Sequence, residues 1–222
     1  MALETARNYT SWIASLVLPY LGDDPIEIGS GTGTSASIWL ETGVPRLTVS
    51  DASEEMVADL HRRFAGDSRV SVRRVDLLES EPRGHSACVA LNVLEHIADD
   101  RAAIRAMSCL VRREGRIVVL VPAFPFAFSR FDRAIGHERR YTRASLRRAF
   151  EDAGLDVERL HYVNAPGLLA WTIGMKLLRV TPRDGFALRV WDRLVVPPTR
   201  WLEAHRSPPF GQSLLAVARR RT

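Results

Sequence analysis

Residues 25 to 42 constrain the fold more than any other stretch of the chain. Pro25-Ile26-Glu27-Ile28 is a short strand, Gly29-Ser30-Gly31-Thr32-Gly33 a turn, and Thr34 to Thr42 a helix stopped by Gly43. A strand that passes through a glycine-rich turn into a helix opens a βαβ unit, and such units build parallel sheets covered by helices on both faces. The alternation continues along the chain. Strand patterns follow at Arg46–Ser50, ending at Asp51, at Val70–Val75, closing on Asp76, at Ser86–Leu91, and at Arg116–Val121, stopped by Pro122. Helical patterns separate most of them: Ser53–Phe64, with Ser53 as N-cap and Gly66 as stop, and Asp100–Val111, ended by Glu114-Gly115. An amphipathic helix over residues 8–21, with Trp12, Ile13, Leu16, Val17 and Tyr20 on one face, precedes the first strand.

After Pro122 the pattern changes. Residues 123–141 form an aromatic and charged loop holding Phe124, Phe126, Phe128, Phe131 and His137. Thr142 can N-cap a helix that runs through Ala153 to Gly154, and strands are expected at Leu155–Tyr162 and Ser213–Ala218. Between these strands, about residues 163–209 carry two helical patterns, near 166–180 and 185–205, which is too long for a hairpin loop and reads as an inserted cap. The whole chain, 1–222, is expected to form one domain, with its core over residues 25–122.

With 222 residues, 46% of them apolar, the chain can bury a core without disulfides or structural metal. Cys88 and Cys109 lie in apolar segments and no Cys/His cluster has zinc spacing, so a reducing, cytoplasmic setting and no metal are expected. The net charge of +5 is almost all arginine, Lys176 being the lone lysine. Arg62-Arg63, Arg73-Arg74 and Arg219-Arg220-Arg221 are scattered rather than gathered on one aromatic-interleaved face, which argues against a nucleic-acid partner. No signal-peptide pattern is seen, and the longest uncharged stretch, Leu160–Met175, is too short and polar to span a bilayer. A peripheral membrane contact stays open.

The turn at Gly29–Gly33 lets a ligand approach the backbone and aims helix N–H groups at it. It does not fit a dinucleotide: position 34 is Thr where the third glycine should be, and Glu27 would repel a pyrophosphate. Glu27 would welcome an ammonium group. Asp51 could accept from ribose hydroxyls and Asp76 from a base amine, and all three acids sit at carboxyl ends of expected parallel strands. Taken singly, each acid could instead only cap the helix that follows.

Residues 25–122 resemble the class I S-adenosylmethionine-dependent methyltransferases, through Glu-Ile-Gly-Ser-Gly-Thr-Gly (27–33), Val-Ser-Asp-Ala-Ser-Glu-Glu-Met (49–56), Val-Asp-Leu (75–77) and Asn-Val-Leu-Glu-His-Ile (92–97). Asn8-Tyr9 with Trp12, and Gly136-His137-Glu138-Arg139-Arg140-Tyr141, resemble the Asn-Tyr-x-x-Trp lead-in and Gly-His-x-Arg-Arg-Tyr element of one subgroup. The resemblance implies an α/β, Rossmann-like sheet of seven strands in the order 3-2-1-4-5-7-6, strand seven antiparallel, and S-adenosylmethionine as cofactor, with S-adenosylhomocysteine as product. It implies that Gly29, Gly31 and Gly33, with Ser30, wrap the methionine moiety and that Glu27 serves its ammonium. Asp51, with Ala52, would bind the ribose, Asp76 and Leu77 would flank the adenine, and Asn92 and Val93 would line the sulfonium side.

Methyl transfer needs the nucleophile held on the methyl axis, often with a base for its proton. His137, in the loop over the expected site, is the first candidate base; it could equally order its loop. His96 is a second candidate, at a position that is commonly structural in this fold. Arg140 and Tyr141 could bind an anionic group of the acceptor or pin the loop to the next helix. Tyr9 could close over the cofactor or pack the N-terminal helix. The phenylalanines of 124–131, with Trp171, Met175, Phe186, Trp191 and Trp201, suggest an apolar acceptor pocket, a homodimer interface or a membrane-facing surface. The leading expectation is methyl transfer to oxygen or nitrogen of a small molecule, of the kind met in secondary-metabolite biosynthesis. An RNA or protein methyltransferase, or a member of the fold that binds the cofactor without methyl transfer, such as a cyclase, are the alternatives.

Overall fold

The computed structural model of the chain describes residues 6–79, 83–177 and 185–220. Seven strands form one sheet: β1 (Ile26–Ile28), β2 (Leu47–Asp51), β3 (Val70–Arg74), β4 (His85–Leu91), β5 (Val111–Pro122), β6 (Leu155–Val163) and β7 (Ser213–Arg220), in the order β3-β2-β1-β4-β5-β7-β6. The first five strands are parallel, with Ile26 between Thr48 and Cys88. β7 inserts antiparallel between β5 and β6.

Alternate residues of each central strand feed opposite faces. Cys88 and Ala90 of β4, with Ile117, Val119 and Val121 of β5, join one apolar cluster with helices α4 (Asp100–Leu110) and α6 (Arg143–Asp152). Val89, Val118 and Leu120 join a second, with α1 (Arg7–Val17) and α2 (Thr34–Glu41). Burial on both faces is what a parallel sheet requires. The Trp39 indole N–H donates to the Ala14 carbonyl and ties α2 to α1. Ser53 caps α3 (Glu54–Arg63), and Thr142 caps α6 through a capping box with Ser145.

β5 starts at Val111, directly after α4, not at Arg116. Val111 pairs with His85 and Arg116 with Ala87, so residues 112–115 form a bulge with Glu114 at a φ of 64°. A Cβ on Gly115 would stand 2.7 Å from Val111 Cβ, which is why glycine fills that bend.

The insertion between β6 and β7 holds α7 (Ala165–Trp171), a π-helical turn over Thr172–Leu177, α8 (Phe186–Leu194) and α9 (Val196–His205). Residues 178–180 of the expected helical pattern, and the Met175 side chain, lie outside the described residues. α8 and α9 both pack against α1. Ala6 offers α1 no side-chain cap; the buried Asp192 of α8 supplies it, accepting from the backbone N–H of Asn8 (3.0 Å) and Tyr9 (2.9 Å). Glu203 of α9 does the same for the start of α7, accepting from Asn164 and Ala165 N–H at 2.9 Å each. Hydrogen bonds to a charged acceptor at a helix N-terminus are each worth about 1.5–3 kcal/mol. Asp192→Ala should therefore lower stability by about 2 kcal/mol and the melting temperature by roughly 4–8 °C, read by thermal denaturation; an unchanged melt would show that α8 does not hold α1.

Candidate active site

The five parallel strands all release the chain on one edge of the sheet, and the expected site residues lie along it in strand order. At its centre, β1 runs into the glycine turn. Gly29, Gly31 and Gly33 have φ of 66°, 52° and 74°, a backbone region open mainly to glycine. A Cβ on Gly29 would stand 2.6 Å from Val93 Cγ2, whereas one on Gly31 would meet nothing within 4 Å. The chain thus leaves open space directly over Gly31, where a ligand can touch backbone. Ser30 is occupied in stitching the turn to β2: its N–H donates to Ser50 O at 2.8 Å and its hydroxyl accepts from Ser50 N–H at 3.1 Å.

Glu27 points into this turn from β1, and is 3% exposed. Its Oε2 has no hydrogen-bond partner. Burial pushes its carboxyl up to about 8, the Ser30 hydroxyl pulling the other way and Asp51 adding to the rise. A buried acid with one oxygen left without a partner is costly unless something positive arrives. Asp51, at the end of β2, accepts from the N–H of Gly31 (3.1 Å) and of Ser53 (3.0 Å), and so braces both the glycine turn and the start of α3. Ala52 is exposed beside it, its carbonyl held by Arg74. Beyond β3, Asp76 is exposed, with one oxygen accepting from Leu78 N–H, while the Leu77 side chain is core. Beyond β4, Asn92 adopts a φ of 55° and is anchored through its N–H to Leu120 O, and Val93 packs under Gly29. Tyr9 is half-buried, edge-on to Trp12; burial pushes its hydroxyl up despite a bond with Ser213, at the start of β7.

At the β4–β5 end, the loop after β5 is fastened onto the turn after β4 almost wholly by the Gly136–Tyr141 element. Glu138 N–H donates to Glu95 O, and Arg139 donates to the Ile97 and Ala98 carbonyls at 2.7 Å each. The Tyr141 hydroxyl donates to Asp100 at 3.0 Å. The buried Arg140 donates to Asp132 and lies over the Trp171 ring at 4.6 Å. Arg140 and Tyr141 therefore have pinning contacts. Asp132, which is 0% exposed and lies in α5 (Arg130–Ala134), is the knot. Burial alone would raise its pKa, but bonds from His137 and Ser129 and the Arg140 charge hold it well below the usual carboxylate range.

His137 Nδ1 lies 2.9 Å from Asp132 Oδ1, and its ring meets His96 edge-on at 4.6 Å. Burial and the neighbouring His137 hold His96 below the usual histidine range. Glu95, fully buried, stands behind the pair with Oε1 3.8 Å from His137 Nε2. Both expected histidines are thus brought together. Glu95 and Asp132 are the partners that sequence reasoning missed. The Ser129-x-x-Asp132 capping spacing was the readable signal for Asp132.

The aromatic residues do not converge. Phe131 and Trp171 pack on each other and Phe124 stacks on Tyr162, but Phe186 and Trp201 are 77% and 64% exposed, and Trp191 packs with α1. A cavity of about 180 Å³ lies between α1, β6 and α9, lined by residues such as Trp12, Tyr162 and Glu203, and shares no residue with the glycine turn or with the His96–His137 pair.

Residues 26–117 match a family model described as a methyltransferase domain. The chain has the class I methyltransferase fold. It is similar to geranyl diphosphate C-methyltransferase from Streptomyces coelicolor, solved with Mg2+, geranyl diphosphate and S-adenosylhomocysteine, at 17% identity and a TM-score of 0.68 over 95% of this chain and 78% of that one. It is also similar to the [4+2]-cyclase SpnF, at 19% identity and TM-score 0.65 over 96% and 81%. A chain of the complex between the Haloferax volcanii Trm112 methyltransferase activator and a methyltransferase matches at 19% identity and TM-score 0.67 over 97% and 91%. No curated protein matches. The cofactor implied by this fold and family model is S-adenosylmethionine, with which a further structure of the same fold has been solved. Among the described residues, no helix is long and apolar enough to cross a membrane.

If Asp132 is the knot, Asp132→Ala leaves Arg140 buried without its partner and His137 unheld. Removing one member of a buried ion pair costs about 3–5 kcal/mol, which urea denaturation should register; a loss below about 1 kcal/mol would show the loop to be held elsewhere.

Proposed function

We propose that the chain transfers a methyl group from S-adenosylmethionine to an oxygen or nitrogen of a small-molecule acceptor. The supporting observation is the buried, unpartnered Glu27 oxygen beside the open space over Gly31: an acid so placed suits a ligand that carries an ammonium group and touches backbone. Gly29, Gly31 and Gly33 would follow the amino-acid end of the cofactor, with Ser30 holding their turn and Tyr9 at its rim. Asp51 and Ala52 would meet the ribose, Asp76 and Leu77 the adenine, and Asn92 and Val93 the side facing the acceptor. Bound there, the cofactor supplies a methyl group on a sulfonium, ready for in-line displacement.

What this chain adds is position and proton handling. His96 follows Val93 by three residues and packs against His137, which is oriented by Asp132, and the pair serves the acceptor's proton. Arg140 and Tyr141 act on the acceptor through the loop they pin. A small acceptor is favoured because the arginine clusters are scattered along the sequence rather than interleaved with aromatics in one segment.

Calorimetric titration with S-adenosylmethionine tests the cofactor assignment. Asp51→Ala should weaken binding at least tenfold; unchanged affinity would defeat the ribose role. The pH dependence tests Glu27. Below about 8 Glu27 carries a proton, and an arriving ammonium favours the carboxylate, so binding must release that proton. Affinity should therefore rise from pH 6 to 7.5, toward tenfold per unit, while Glu27→Gln should bind more weakly and with a flatter profile. A wild type with no such rise would remove the ammonium assignment. A labelled-methyl assay over phenols, amines and carboxylic acids then separates transfer from the cofactor-binding alternative, in which no methyl group moves.

A further inference from the structure

Glu95, His96 and His137 present one ligand-capable atom each, all within 4.8 Å of one another. Three features of this cluster are those of a metal site. The first is which nitrogens are free. His96 Nδ1 lies 3.2 Å from the Gly136 carbonyl, which can only accept, and His137 Nδ1 lies 2.9 Å from the Asp132 carboxylate. Both rings therefore carry their proton on Nδ1 and keep the Nε2 lone pair for something else. An acceptor behind Nδ1 is the arrangement that orients imidazoles toward a metal and raises their basicity.

The second feature is Glu95. It is 0% exposed, and neither carboxylate oxygen finds a hydrogen-bond partner, yet one faces His137 Nε2 at 3.8 Å. That gap is too long for a hydrogen bond and suits two atoms sharing a cation between them. The third is access: Glu95 is buried, His137 partly buried and His96 exposed, so the cluster runs from the interior to the surface and an ion can reach it from solvent.

We infer that Glu95, His96 and His137 hold a divalent transition-metal ion of the zinc class, with a coordination position left open toward the acceptor. Two imidazoles and one carboxylate suit zinc or its first-row neighbours; magnesium and calcium prefer all-oxygen sets. The inference deepens the proposed function and rests on it for the role of the open position. An ion there would select an acceptor bearing a hydroxyl, carboxylate or phosphate oxygen, and would take over from a free histidine the lowering of that group's proton affinity.

The experiment is titration of the full chain, stripped with chelator, with Zn2+ alone, alongside Co2+ monitored by its visible absorption. One equivalent of Zn2+ should bind in the micromolar range or tighter, and Co2+ should give ligand-field bands. Glu95→Gln, an isostere, and His96→Ala, on the exposed side, should each weaken Zn2+ binding at least tenfold, while melting temperature and S-adenosylmethionine affinity stay near wild type. Replacing the exposed His205 by Ala should leave Zn2+ binding unchanged. The inference is overturned if wild type binds Zn2+ no more tightly than about 100 μM, or if Glu95→Gln with native melting binds it as wild type does. Zinc binding without cofactor binding would instead remove the methyl-transfer reading and leave the metal site standing.

Discussion

Five parallel strands surrender the chain at a single edge of the sheet, and whatever chemistry this protein performs has to be assembled from the loops that begin there. The strand order turns those loops into a line: Asp76 beyond β3, Asp51 beyond β2, the glycine turn beyond β1, the histidine turn beyond β4 and its covering loop beyond β5. Crowding along that line explains the special residues. Gly29 must be glycine because Val93, from the neighbouring loop, occupies the place of its side chain. Asn92 takes a left-handed conformation so that the chain can leave β4 and still put Val93 there.

Buried carboxylates along this line are treated in opposite ways. Asp132 is satisfied from every side, by Ser129, His137 and Arg140, and so it fixes geometry. Glu27 and Glu95 are as deeply buried and keep oxygens without partners. Burial pushes Glu95 up to about 8, against its own backbone amide and the Arg140 charge. An interior that completes one carboxylate so thoroughly and leaves two others incomplete distinguishes scaffold from site more sharply than the residue types themselves.

Much of this was legible in the sequence because it is local. The glycine turn, the acids closing the strands, and the caps Ser53 and Thr142 all announce themselves within a few residues, and the short apolar runs between helical patterns place the strands. The start of β5 was not, because the bulge at residues 112–115 is set by pairing with β4, and nothing in Arg-Arg-Glu-Gly says so. Nor was Glu95 readable as a buried partner, and the Ser129-x-x-Asp132 spacing announces a helix cap without saying that Asp132 also faces a histidine. The insertion was foreseen as helical, but which of the three readings of its aromatic side chains holds, a pocket, a dimer interface or a membrane-facing surface, was left open, and they do not line one pocket. They are divided among α1, the loop after β5 and the surface, since the docking of α8 and α9 is decided by contacts with a helix far away in the chain.

That docking gives the molecule a timetable. In α1 the N–H groups of Asn8 and Tyr9 are met by Asp192, and the helix after β6 waits for Glu203. Neither cap is available while the sheet's parallel half is being built, and both arrive with the segment that immediately precedes the last strand, β7. Contacts so distant in sequence are slow to form. As the chain is synthesised, α1 can pack on α2 well before its first turn is capped, and the closing of that cap is among the last contacts of the described fold to form.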